Sequence, residues 1–170
     1  MPGTAIYTDL SGYYDLMCAD IDYGAQSSAV QRLQQLFGNG GRRHLDLACG
    51  TGPHVRHFID AGYDSSGLDI NQPMLDRATL RCPEARFSLQ DMCSFSLDRP
   101  VDLITCFLYS IHYSAGLERL AACIAHVHAA LADQGAPASM AELRELAANM
   151  PAVARAIVAM QARLRETAER

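Results

Sequence analysis

The feature that most constrains this chain is a unit that recurs along it: a short apolar stretch, a turn bearing glycine or aspartate, then an amphipathic stretch. His44-Leu45-Asp46-Leu47-Ala48-Cys49 runs into Gly50-Thr51-Gly52 and is followed by Val55, Phe58 and Ile59 at helical spacing. Tyr63 to Ile70 ends in Gly67-Leu68-Asp69-Ile70, and a helix over Met74-Leu75-Asp76-Arg77-Ala78 is entered near Pro73. Ala85 to Leu89 predicts a third strand, ending at Gln90-Asp91-Met92. Val101 to Phe107 predicts a fourth after the Pro100 break, with a helix over Leu117 to Leu131 behind it. Strands alternating with helices at this spacing predict an α/β fold, a Rossmann-like, doubly wound parallel sheet whose ligand lies beyond the carboxyl ends of its strands.

Ahead of these units, Ala25 to Phe37 places Val30, Leu33 and Leu36 or Phe37 on one helical face, and Gly38-Asn39-Gly40-Gly41 stops the helix. After Gly135 the composition changes. Residues 136–170 contain no aromatic, cysteine, histidine or glycine, and 11 of the 35 are alanine. Two apolar stripes there, Met140 to Met150 and Val153 to Leu164, predict two helices separated by Pro151. The expected organisation is therefore one α/β domain over residues 1–135 and an Ala-rich helical tail over 136–170.

Composition narrows the chemistry. All 14 basic residues are arginine, so amine nucleophiles, Schiff bases and a phosphate-loop lysine are excluded. A net charge of -5 offers no footprint for nucleic acid or an acidic membrane surface, so a small-molecule partner is expected. The six cysteines contain no close CxxC pair, which fits reduced thiols in the cytoplasm. No apolar run reaches the roughly 18 residues of a membrane span, and the first 18 residues lack a secretory pattern.

The glycine turn after the first strand lets backbone amides approach an anionic group under the positive end of a helix dipole. Asp69, at the end of the second strand, can accept both hydroxyl protons of a ribose. Asp91, at the end of the third, can accept from an exocyclic adenine amine, with the Met92 amide facing a ring nitrogen. A dinucleotide fingerprint would need glycine where Val55 stands. The three strand ends together fit one adenosine-bearing ligand.

LDLACGTG (Leu45 to Gly52), GLDI (Gly67 to Ile70), QDM (Gln90 to Met92) and DLITCFLYSIHY (Asp102 to Tyr113) resemble the class I S-adenosyl-L-methionine (SAM)-dependent methyltransferases in order and spacing, over about Tyr7 to Leu131. The resemblance implies methyl transfer to nitrogen or oxygen of a small-molecule acceptor, with S-adenosylhomocysteine as product. It assigns Ala48, Cys49, Gly50 and Gly52 to the loop around the methionine part, Asp46 to helping hold its amino group through that loop, Asp69 and Ile70 to the ribose side, Asp91 and Met92 to adenine, and Phe107 to the fourth strand end. Tyr13-Tyr14-Asp15-Leu16 resembles the lid segment of small-molecule members, making Tyr14 a candidate beside the methionine carboxylate. Ala48 stands where the family has its first loop glycine and would not adopt a positive φ as glycine does.

The resemblance also implies a fifth strand and an antiparallel pair, where this chain supplies Ala-rich helix. Four strands are expected, with the fourth an exposed edge that the tail covers or that pairs with a second copy. An alternative reading is a catalytically incomplete SAM-binding domain acting as a binding or oligomerisation module. No catalytic residue stands out. Tyr109 and His112, past the fourth strand, sit where an acceptor would meet the methyl group. No metal site is expected, since His126 and His128 point to different helix faces.

Overall fold

The computed structural model describes residues 11–114 and 116–132. The elements are α1 (Ser11–Met17), α2 (Tyr23–Phe37), β1 (Arg43–Leu47), α3 (Pro53–Asp60), β2 (Asp64–Asp69), α4 (Gln72–Arg81), β3 (Arg86–Leu89), β4 (Leu103–Cys106), a 3-10 turn (Ser110–Ser114) and α5 (Leu117–Ala130). The expected helical tail, 136–170, lies outside the described residues.

The strands form one parallel sheet in the order β3-β2-β1-β4, so the chain starts in the middle, winds outward and then crosses to the other side of β1. That reversal is the switch point where open α/β sheets hold ligands. Central β1 is buried along its length and uses its two faces differently. Leu45 and Leu47 enter a core with Leu68, Met92, Phe95, Val101 and Cys123, while His44, in the opposite phase, stacks on Phe58 of α3 with ring centroids 3.9 Å apart. Burial of each leucine contributes about 1.5–3 kcal/mol.

The fourth strand starts two residues later than the sequence predicts. The backbone of Val101 pairs with the end of α5 instead: its amide donates to Ala130 O at 2.9 Å, its carbonyl accepts from the Ala132 amide at 2.7 Å, and it forms a parallel bridge with Leu131. Asp102 then ties the starts of β1 and β4 together. It accepts from the Arg43 amide (2.9 Å) and guanidinium and from Asn39 Nδ2 (3.0 Å), and it crowds Gly41 so closely that a Cβ there would lie 2.1 Å from its carboxyl carbon. The sheet has four strands among the described residues, as expected, but the chain leaving α5 already returns to the β4 side.

On α2 the inward face differs from the expected apolar stripe. Ser27 and Gln34 are the buried residues and Leu36 is exposed, because Gln34 donates to Gly41 O at 3.2 Å and Ser27 pairs with His54. Polar groups are tolerated inside where such partners satisfy them.

Candidate cofactor site

The loop after β1 opens with Ala48 at φ +52°, a left-handed conformation that the sequence reading denied to alanine. The turn demands it: β1 must stop at Leu47 while the Cys49 amide still donates to Leu68 O at 3.0 Å. Gly50 (φ +56°) and Gly52 (φ +80°) follow, and a Cβ at Gly52 would press on the Ala78 Cβ at 3.1 Å. Pro53 then starts α3 with its dipole aimed into the loop.

The carboxylate of Asp69, buried at the end of β2, fastens this loop. Its Oδ2 accepts from the Gly50 amide at 3.0 Å, and its Oδ1 accepts from the Asn71 amide (2.9 Å) and Nδ2 (3.2 Å). Ile70 beyond it is 65 % exposed at the sheet edge. Asp91 Oδ1 accepts from the Cys93 amide at 2.8 Å and Oδ2 from the Arg119 guanidinium of α5, and these contacts hold its carboxyl below the usual carboxylate range. The Met92 side chain is core, whereas its amide donates to no partner among the described residues.

Between the loop and the end of β4 lies a cavity of about 20 Å³, room for one small polar group. It gathers Tyr14, Asp46, Ala48, Cys49, Gly50 and Phe107 of the expected site. Gly52, Asp69, Ile70, Asp91 and Met92 lie outside it, along the ends of β1 to β3. Sequence reasoning missed Tyr23, Thr51, His54, Leu108 and Ser110, which also line it. His54 is signalled by its place two residues after Gly52; its ring stacks on Phe107 at 3.6 Å, its Nδ1 pairs with Ser27 Oγ at 3.1 Å, and its buried Nε2 has no partner among the described residues. Burial lowers its pKa to about 4, so it is neutral near pH 7.

Asp46 is 2 % exposed; its Oδ1 accepts from Thr105 Oγ1 at 2.7 Å, and its Oδ2 has no partner among the described residues. Desolvation raises its pKa to about 7, with the charge of Asp69 adding to the rise and the Thr105 hydrogen bond opposing it. A half-satisfied carboxyl lining a cavity calls for a cationic group. The Cys49 thiol is pushed up by burial and packs against Gly67, which makes it a filler and not a nucleophile.

Over the loop lies α1. Thr51 Oγ1 donates to Asp15 Oδ1 at 2.5 Å, and Arg81 of α4 donates to Asp15 Oδ2 at 2.6 Å and to Thr51 O at 3.0 Å. This clamp sets the half-buried Tyr14 ring above Gly50, about 4.0 Å from where a Cβ would stand. Past the end of β4, Leu108 (φ +52°) and Tyr109 (φ +62°) are both left-handed, and Tyr109 is 82 % exposed. His112 Nδ1 donates to Tyr109 O at 3.0 Å; a carbonyl only accepts, so its Nε2 carries the lone pair. No group of three metal-ligating side chains occurs among the described residues.

A larger cleft, about 810 Å³, is lined by Arg43, Asp64, Arg86 and residues 96–99. It runs from the starts of β1, β2 and β3 along the sheet to Gln90 and includes no residue of the glycine loop, so it is distinct from the cavity at the strand ends.

A parallel α/β sheet with a glycine loop after β1 and carboxylates ending β2 and β3 defines a nucleoside-binding domain. Residues 45–135 match the family of methyltransferase domains, and the chain belongs to this family, of the class I SAM-dependent type. It is 34 % identical over 104 residues to the dTDP-3-amino-3,4,6-trideoxy-alpha-D-glucopyranose N,N-dimethyltransferase of Streptomyces venezuelae, covering 61 % of this chain and 44 % of that enzyme. The crystal structure of Streptomyces venezuelae DesVI superposes with a TM-score of 0.69 at 31 % identity, over 75 % of this chain and 55 % of that one. SAM-bound CalS10, an amino pentose methyltransferase from Micromonospora echinaspora, superposes with a TM-score of 0.63 at 27 % identity, over 67 % and 48 %. The chain thus spans about half the length of the relatives it matches.

Proposed function

We propose that the chain binds SAM at the carboxyl ends of β1 to β3 and takes part in methyl transfer to the nitrogen of a small amine acceptor, an aminodeoxysugar being the class its relatives suggest. The observation that carries the reading is the joint placement of the glycine loop, Asp69 and Asp91 on successive strand ends, with Asp69 bound to the Gly50 amide. The residues fit the cofactor: among the described residues Asp46 has a free carboxylate oxygen for an ammonium, and the Met92 amide is free for a ring nitrogen.

When bound, SAM supplies an activated methyl on a sulfonium. What the chain adds is alignment and exclusion of water. Asp46 would hold the amino group, Tyr14 on α1 would close over the methionine end, and Asp69 would accept from a ribose hydroxyl with the Oδ2 lone pair that the Gly50 amide leaves. Phe107 and Leu108 would face the reacting centre, and the His112 Nε2 lone pair would take the proton that the acceptor nitrogen loses after methylation. Among the described residues no helix is long and apolar enough to cross a membrane; free thiols at all six cysteines support a cytoplasmic setting.

Isothermal titration with SAM and S-adenosylhomocysteine tests the binding. Micromolar affinity is expected, and a folded protein that gives no heat with either ligand would refute the reading. A methyl-transfer assay on aminodeoxysugar nucleotides then tests the acceptor class.

A further inference from the structure

Four buried side chains form a continuous hydrogen-bonded chain across three strands. Ser65 Oγ of β2 lies 2.7 Å from His44 Nδ1, His44 Nε2 lies 2.8 Å from Thr105 Oγ1 of β4, and Thr105 Oγ1 lies 2.7 Å from Asp46 Oδ1. The strand register explains the meeting: His44 stands opposite Ser65 and Asp46 opposite Thr105, and His44 and Asp46 share one face of β1.

The proton direction follows from the terminus. An ionised Asp46 can only accept, so the single Thr105 hydroxyl proton points to it. Thr105 must then accept from His44, which puts the ring proton on Nε2, and His44 Nδ1 accepts from the Ser65 hydroxyl. Every donor points toward Asp46. Such a chain polarises cooperatively in a dry interior, and it fixes which carboxylate oxygen is occupied and which is left for a ligand.

We propose that His44, acting through Thr105, is a positioning residue for cofactor capture: the Ser65-His44-Thr105 chain fixes Asp46 through Oδ1, so that Oδ2 receives the ammonium of the cofactor's methionine moiety. This rests on the reading of Asp46 given above. The stacking of His44 on Phe58 and its complete burial hold the ring neutral and in one orientation, which a relay of this kind requires.

The test compares SAM with 5′-methylthioadenosine, which keeps the adenosine and the methylated sulfur but lacks the amino-acid chain, its ammonium included, and the sulfonium charge. In the full chain, Thr105→Val should weaken SAM about tenfold, as loss of a hydrogen bond to a charged group does. Binding of 5′-methylthioadenosine should stay at the parent level. His44→Phe, which keeps the stacking but cuts the chain upstream, should shift the ratio of the two affinities in the same direction by a smaller factor, and Thr105→Ser should restore it. Equal weakening of both ligands by Thr105→Val would mean general damage and overturn the proposal; so would a parent-like ratio in His44→Phe. Asp46→Asn separates the two layers: if it leaves the ratio unchanged, the reading of Asp46 fails, whereas a shift in Asp46→Asn without one in Thr105→Val sinks the chain alone. Should Thr105→Val not fold, ¹⁵N resonances of His44 in the parent protein at pH 8 decide. The Nε2-protonated tautomer is expected, and the Nδ1-protonated one would overturn the proposal.

Discussion

Asp69 Oδ2 accepts the Gly50 amide proton at 3.0 Å, so the carboxylate that ends β2 also shapes the loop that ends β1. The same side chain is the proposed acceptor of the ribose hydroxyls, and one substitution should therefore disturb both halves of the ligand. Asp69→Ala is expected to weaken SAM and S-adenosylhomocysteine at least tenfold, since hydrogen bonds to a charged acceptor are worth about 1.5–3 kcal/mol. Titration calorimetry reads this directly, and an unchanged dissociation constant would remove Asp69 from the site.

The clamp of Asp15 on Thr51 and Arg81 predicts a local effect. Its side chains are about one-third exposed, so the ion pair contributes about 1 kcal/mol or less and chiefly to α1. In Asp15→Ala the amides of α1 should exchange several-fold faster while those of β1 keep their protection. Hydrogen exchange that leaves α1 unaffected would show that Asp15 does not secure the helix.

Asp46 predicts proton release on cofactor binding. Its folded pKa of about 7 exceeds the ordinary 3.8, so its contribution to stability is fully present below pH 3.8 and is lost as pH rises through 7. An ammonium beside the carboxylate favours the charged form. SAM binding below pH 7 should therefore expel a proton, and affinity should rise with pH up to about 7 and then level. Calorimetry in buffers of different ionisation heat measures the proton count, which should vanish in Asp46→Asn. His44 acts with the opposite sign. Its pKa is lowered from 6.5 to about 3, so its contribution is present above pH 6.5 and lost as pH falls through 3. Denaturation across this range should show a shallower acid loss in His44→Phe.

Ala48→Gly should stabilise the protein by about 1 kcal/mol, because a left-handed backbone strains alanine and not glycine. Thermal melting checks this, and a lower midpoint would show that the Ala48 methyl contributes more through packing than its backbone loses through strain.

The framework was legible in the sequence because strand, glycine turn and helix are local patterns: all four strands, both loop glycines and the carboxylates at positions 69 and 91 fall where spacing puts them. What sequence reading missed depends on register. The resemblance points to Asp46, but only the pairing of β1 with β2 and β4 brings Ser65 beside His44 and Thr105 beside Asp46. The polar alternation of His44 and Asp46 was the available signal. The Arg119 partner of Asp91 was out of reach for the same reason, lying 28 residues away on α5. The positive φ of Ala48 runs against the residue's own preference because the demand of the turn outweighs it.

The single bridge between Val101 and Leu131 is parallel, and this fixes a direction of travel. Leu131 runs beside Val101 in the same sense as β1 to β4, and with its amide bound to Ala130 and its carbonyl to Ala132, Val101 keeps no backbone group there for a second copy to pair with.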